Sequence, residues 1–269
     1  MQILSGFILA SMAAFLAHRA HSLNGSGAIA AAFIGTIIFG LGGWQWTVLL
    51  MVFFITSSGL SRAFKSRKRG LDEKFSKGHE RDAGQVFGNG GLAALFVLVH
   101  SLEPESMVGW LGFAASLAAV NADTWATELG VLNPVPPRVI TDLKKQVEKG
   151  TSGGVSSFGT AAALLGSAVI ALPAVLLSPS GALNASYFLL VTFAGLAGSL
   201  FDSLLGATVQ AMYYCPTDRI ETEKHPLHTC GTPTIHTRGW QWLDNDWVNF
   251  ACGLSGALLA LLGAVLIRM

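Results

Sequence analysis

The sequence predicts an all-α, polytopic integral membrane protein: a single domain over residues 1–269, built as a helical bundle of about eight transmembrane helices, some short or broken. Three observations carry this. Hydrophobic residues make up 51% of the chain and charged residues 12%, against about 25% charged in a soluble domain. The mean hydropathy is +0.52, and the apolar residues come in blocks of bilayer-crossing length. Sixteen of the seventeen Lys and Arg fall in alternate connections between those blocks, the asymmetry that orients membrane proteins. Cys215, Cys230 and Cys252 are too few for a disulfide framework.

Eight spans are expected, at roughly 3–17, 27–42, 44–60, 84–102, 107–130, 153–178, 186–210 and 246–267. The first has no basic region ahead of its apolar run, so it reads as a span and not as a cleaved signal peptide. If the spans alternate, Arg19, the basic residues from Arg62 to Arg81, those from Arg138 to Lys149, and Arg219, Lys224 and Arg238 share one side. Only Arg268 faces the other. The positive-inside rule then makes those connections cytoplasmic and puts both termini outside, in a plasma or inner membrane.

The fifth span ends in NADTWATE, residues 121–128, which is polar where polarity is costly. On a helix, Asn121, Asp123, Thr124, Thr127 and Glu128 occupy one side, and Ala122, Trp125 and Ala126 the other. A carboxylate at the centre of a span costs about 2.5 to 3.5 kcal/mol on insertion scales, which marks a functional site. The seventh span repeats the oddity, with Ser199, Asp202 and Ser203 on one face. Acids at the cytoplasmic ends of two spans suit a shared cation, with Asp123, Asp202 and Glu128 as the expected metal ligands.

Around these acids stand further polar groups. Arg81, Gln85 and Asn89 step by four into the fourth span and share a face. The run Gly150, Thr151, Ser152, Gly153, Gly154 is a glycine turn leading into the sixth span beside Lys149. Backbone N–H groups at such a helix start suit a phosphate, although the lysine of a P-loop is missing. The basic segment from Arg62 to Lys77 reads as a juxtamembrane stretch held against anionic lipid. Asn245 and Asn249 share a face at the start of the eighth span, where Asp244 or Asn245 can cap the helix. Trp240, Trp242 and Trp247 fit an interfacial belt. Cys215, His225, His228, Cys230 and His236 are residue types that hold zinc, but no CxxC pair exists, because Asp218 stands where the second sulfur would be. That spacing argues against zinc.

Acids without a histidine cluster suit Mg²⁺, which prefers one or two carboxylates together with waters and substrate phosphates. With a glycine turn and flanking Lys and Arg, the parts fit phosphoryl or nucleotidyl transfer. A lipid phosphate as acceptor is already anionic, so no strong general base is required.

NADTWATELG, GTSGGVSSFGT, GSLFDSLLGATVQ, the CPxx segment with HTCGTP, and LDNDWVNF occur in this order. Together they resemble a family of integral membrane proteins, domain of unknown function family 92. That family includes phytyl-phosphate kinase and is distantly similar to phytol kinase, dolichol kinase and phosphatidate cytidylyltransferase. The resemblance implies a nucleotide-dependent kinase, with CTP or else ATP as donor, that converts an isoprenyl monophosphate to its diphosphate. Asp123 and Glu128 match its DTxxxE core, Asp202 the acid of its GSxxDS segment, Gly153 and Gly154 its glycine turn, and Asn245 and Asn249 its NxxxN pair. The chain departs from many members where CPxCG is expected.

The expected assignment is therefore Asp123, Glu128, Asp202 and Asn121 as catalytic residues. Arg81, Asn89, Lys149, Gly150, Thr151, Ser152, Gly153, Gly154, Asn245 and Asn249 would bind nucleotide or phosphate. Expected partners are a lipid phosphate, a nucleotide and membrane lipids, with no nucleic acid; the oligomeric state stays open, a homodimer included. Two competing readings are a cytidylyltransferase forming a CDP-activated lipid and a secondary transporter with an intramembrane acidic ion site.

Overall fold

A computed structural model describes residues 1–64, 74, 80–179 and 185–267. Most of the basic run expected to lie against anionic lipid falls outside the described residues, as do His79, most of the short external connection at 178–186, and Arg268.

The helices are α1 (Gln2–Arg19), α2 (Gly25–Ile37), α3 (Trp44–Ala63), α4 (Ala83–Leu102), α5 (Met107–Gly130), α6 (Ser157–Leu176), α7 (Ala185–Thr208) and α8 (Asn245–Leu266). A π-helical turn, Ile38–Gly42, prolongs α2. Among the described residues, seven are long and apolar enough to cross a membrane, α2 together with its π turn counting as one. The exception is α5, which is also the hub: it packs against α3, α4, α6, α7 and α8. Every residue from Gly109 to Ala122 is buried. Small residues make this approach feasible. A Cβ on Gly198 of α7 would come within 2.6 Å of the Ala119 methyl and 2.9 Å of the Cys252 carbonyl oxygen.

The helices start on side-chain caps that satisfy orphan N–H groups. Asp82 accepts from the Gln85 N–H in a reciprocal capping box on α4. Ser156 accepts from Gly159 at the start of α6, and Asp244 from Asp246 and Trp247 at the start of α8. One end of the bundle is closed by an aromatic cluster. Trp46 lies 4.9 Å from Trp110 and 4.8 Å from Phe113, ring centre to ring centre, and the Trp110 indole N–H donates to the Ala174 carbonyl at 3.0 Å. The polar site sits at the other end.

Two small sheets add to the helices, both resting against the end of α7. The first, β1 (Arg138–Val139), β2 (Asp142–Gln146) and β3 (Gly154–Val155), has the order β2-β1-β3. It occupies a stretch expected as a loop, and α6 begins at Ser157 instead of 153. Every residue of β2 is exposed, so no apolar alternation marks it as a strand. The second comprises β4 (Met212–Cys215), β5 (Ile220–Thr222) and β6 (Ile235–Arg238) in the order β5-β4-β6. Tyr213 pairs with Thr222 on one side and His236 on the other. At the end of α7, β3 packs against the helix and Arg238 of β6 donates to the Gly206 carbonyl.

Candidate functional site

A cavity of about 280 Å³ opens where α3, α5 and α7 end and α4, α6 and α8 begin. Asp123 of α5 and Asp202 of α7 face into it. The Ser199 hydroxyl, about one turn before Asp202, donates to the Asp123 carboxylate. Glu223, carried in just beyond β5, is the third acid, close enough to act electrostatically on both aspartates. The Oδ2 of Asp202 is buried with no hydrogen-bond partner. A buried carboxylate oxygen without a protein donor is costly unless something else compensates it, and a set of carboxylates fits a hard divalent cation such as Mg²⁺.

Glu128 lies on a different wall. Its Oε1 accepts from the Ser61 hydroxyl at 2.6 Å, and its charge acts on Arg81. The Arg81 guanidinium carbon stands 5.6 and 5.9 Å from the ring centres of Phe53 and Phe54. Desolvation pulls this guanidinium down to about 10 and Glu128 pushes it back up, so it is charged at neutral pH. The three expected metal ligands are thus divided: Asp123 and Asp202 share their surroundings with Glu223, whereas Glu128 belongs with Arg81. Among the described residues, the acids of the cavity do not gather three oxygens within 4.8 Å of one another.

Asn121 is absent from the cavity wall. It is fully buried, its amide N–H donates to the Gly166 carbonyl at 2.7 Å, and its oxygen accepts from Thr56 at 3.2 Å. Both ends of the amide are used to join α5 to α6 and α3.

The other sequence-derived positions converge on the cavity. Arg81, Asn89, Lys149, the turn from Gly150 to Gly154, Asn245 and Asn249 all line it. Lys149 Nζ donates to the Val131 carbonyl at 2.9 Å, which anchors the base of the turn. Within the turn, the Thr151 and Gly154 N–H groups bond internally, to Glu148 and Thr151. Gly153 has φ +80, and a Cβ there would lie 2.5 Å from Ala207 Cα, so only glycine lets the turn sit directly on α7. Ser152 Oγ donates to Gln210 Oε1 at 2.7 Å, and Gln210 Nε2 donates to Glu223 at 2.9 Å.

Gln210 and Glu223 are the members that sequence reasoning missed. Gln210 had a signal, an amide closing an apolar run; Glu223 had none, since an acid in a polar connection is ordinary. The cysteine loop shows a proximity that its spacing does not suggest. Although its spacing argues against zinc, the fold brings potential ligand atoms of Cys215, Asp218, His228 and Cys230 within 4.8 Å of one another.

Comparison with known proteins adds a family. The chain is 34% identical to Protein PGR of Arabidopsis thaliana over 99% of its own length and 97% of that protein's. An uncharacterised membrane protein of Methanocaldococcus jannaschii is 33% identical over 72% of this chain and 77% of its own. Protein VTE6, chloroplastic, of Arabidopsis thaliana is 25% identical over 89% of this chain and 65% of its own. No solved structure matches. The model of the integral membrane protein family DUF92 matches residues 8–257, and the chain belongs to that family.

Proposed function

We propose that this protein is a membrane prenyl-phosphate kinase, which transfers the γ-phosphoryl group of CTP, or else ATP, to an isoprenyl monophosphate and releases the diphosphate. One observation carries the reading. A single cavity sets the acids Asp123, Asp202 and Glu223 together with a glycine turn and the cations Lys149 and Arg81. The resemblance of the motifs to a family that includes phytyl-phosphate kinase supports it. So does the position of the cavity at the end of the bundle that receives most of the basic connections, which the positive-inside rule makes cytoplasmic.

Asp123 and Asp202 would hold Mg²⁺, with Glu223 adding negative charge beside them; when bound, the ion would offset the negative charge of the nucleotide phosphates. The turn from Gly150 to Gly154 supplies a compact backbone surface for phosphate oxygens, and Lys149 and Arg81 neutralise charge at its flanks. An oxygen of the lipid monophosphate attacks the γ-phosphorus, the bond to the β,γ-bridging oxygen breaks, and the nucleoside diphosphate leaves. The acceptor is already ionised, so the protein mainly orients two anions. Fittingly, no histidine lines the cavity among the described residues.

The test is purified protein in detergent with Mg²⁺, γ-labelled CTP or ATP, and phytyl or geranylgeranyl monophosphate, read by thin-layer chromatography. Label in a lipid diphosphate, lost in Asp123→Asn, is the expected result. A product that retains the nucleoside would indicate a cytidylyltransferase. No transfer from any nucleotide by the folded protein would overturn the kinase reading in favour of a carrier.

A further inference from the structure

Beside the cavity, the second sheet carries a polar cluster that the proposed kinase chemistry does not use. Cys215 ends β4 and Asp218 follows in the turn to β5. His228 and Cys230 lie in the connection from β5 to β6, which is folded back by a bridge between Leu227 and Pro233. Cys215 and His228 are buried, whereas Asp218 and Cys230 are exposed. One side chain from each pair is therefore fixed by packing and one is open to solvent.

The distances describe a convergent set. Cys215 Sγ is 3.6 Å from Cys230 Sγ and 3.8 Å from Asp218 Oδ2. His228 Nδ1 is 2.8 Å from Asp218 Oδ2. Both cysteines are free thiols. Tetrahedral coordination with Zn–S bonds of about 2.3 Å places two sulfurs about 3.8 Å apart, close to the spacing here. Polar groups already flank both sulfurs. The Asp218 N–H donates to Cys215 Sγ at 3.4 Å, and the Cys230 thiol donates to Thr232 Oγ1 at 3.3 Å.

We propose that Cys215, Asp218, His228 and Cys230 form a four-ligand structural zinc site that staples the β4–β5 turn to the connection leading into β6. Two sulfurs, an imidazole and a carboxylate suit zinc better than the hard cations, which take oxygen alone. Four protein ligands leave no position open for a substrate, the mark of a structural and not a catalytic site. With both thiols ionised the ligands carry a charge of −3, so the loaded site is left at −1 and remains compatible with a solvent-facing loop. The staple has a purpose within the fold. β5 runs directly into Glu223, so fixing the turn and the returning connection fixes where that carboxylate enters the cavity.

The test is metal analysis of the full chain, purified in detergent through a tag without histidine. About one zinc per chain is expected by mass spectrometry. It should persist in Asp123→Asn/Asp202→Asn and Cys252→Ser and be lost in Cys215→Ser/Cys230→Ser. Cobalt exchanged into the wild-type protein should give sulfur-to-cobalt charge-transfer bands and intense tetrahedral ligand-field bands, a readout that does not depend on how any variant folds. Three results would each overturn the proposal: folded wild-type protein without zinc, zinc lost with the aspartates, or a Cys215–Cys230 disulfide in protein purified without oxidant.

Discussion

Ser152 of the glycine turn and Gln210, just past the end of α7, are joined by a 2.7 Å hydrogen bond, and the same amide reaches on to Glu223 at 2.9 Å. One side chain thereby sets the proposed nucleotide surface against the acidic wall. Gln210→Ala removes both bonds. With hydrogen bonds to charged groups contributing about 1.5 to 3 kcal/mol, kcat/KM for nucleotide should fall about 10- to 100-fold. Gln210→Glu should fall further, since it sets a second carboxylate against Glu223. Steady-state kinetics of the two variants checks the order.

Asp123→Asn and Asp202→Asn separate function from stability. Each should lower turnover by about 10³-fold or more, as loss of a metal ligand or electrostatic anchor does. In the absence of Mg²⁺ each should also raise the melting temperature by a few degrees, because an amide relieves repulsion among Asp123, Asp202 and Glu223. Thermal unfolding with EDTA reads this directly. A lowered melting temperature would mean that the acids hold the fold together.

Arg81 lies against two aromatic rings and the Glu128 charge. Arg81→Lys keeps the charge but not the planar stack, so KM for the anionic substrates should rise about tenfold with little change in kcat. Arg81→Ala should raise KM further and also lower stability, because it leaves the buried Glu128 without its cation. Measuring KM and melting temperature for both variants distinguishes charge from packing.

Gly153→Ala should be far more damaging than its size suggests. Its φ of +80 already penalises an L-residue by about 1 to 2 kcal/mol, and the added methyl meets the backbone of Ala207, which cannot yield as a side-chain tip could. Loss of most folded protein is expected by size-exclusion chromatography. Gly231→Ala, at φ +80 but with nothing near its Cβ position, should show only the backbone penalty.

Asn121→Ala should act on stability alone. Two hydrogen bonds within the bundle are lost, worth about 1 to 3 kcal/mol together. The folded fraction should keep a wild-type kcat, measured per correctly folded molecule.

The bundle was legible because each spanning helix must be apolar over its length, and Asp123 and Asp202 stood out against that background. The same contrast drew attention to Asn121, yet contrast alone cannot tell a buried amide joining helices from one facing a cavity. Glu223 and β2 were not legible for the opposite reason. In a polar connection an acid or an exposed strand has nothing to stand out from, and only tertiary placement gives it meaning. At the cysteine loop, sequence spacing favours ligands close together in the chain, whereas the four potential ligands come from both sides of β5.

The order in which the chain is made puts a constraint on α5. Among the described residues it is the one helix outside the set long and apolar enough to cross a membrane, and three of the helices that cover it, α6, α7 and α8, follow it in the sequence. During synthesis α5 therefore leaves the ribosome before most of its shelter exists. Its hold on the bilayer has to be lent by α3 and α4, which precede it, until the later helices arrive. A cysteine introduced into α5 should react with a water-soluble maleimide in a ribosome-bound chain long enough to expose α5 but not α6, and be protected once α6 and α7 have also emerged.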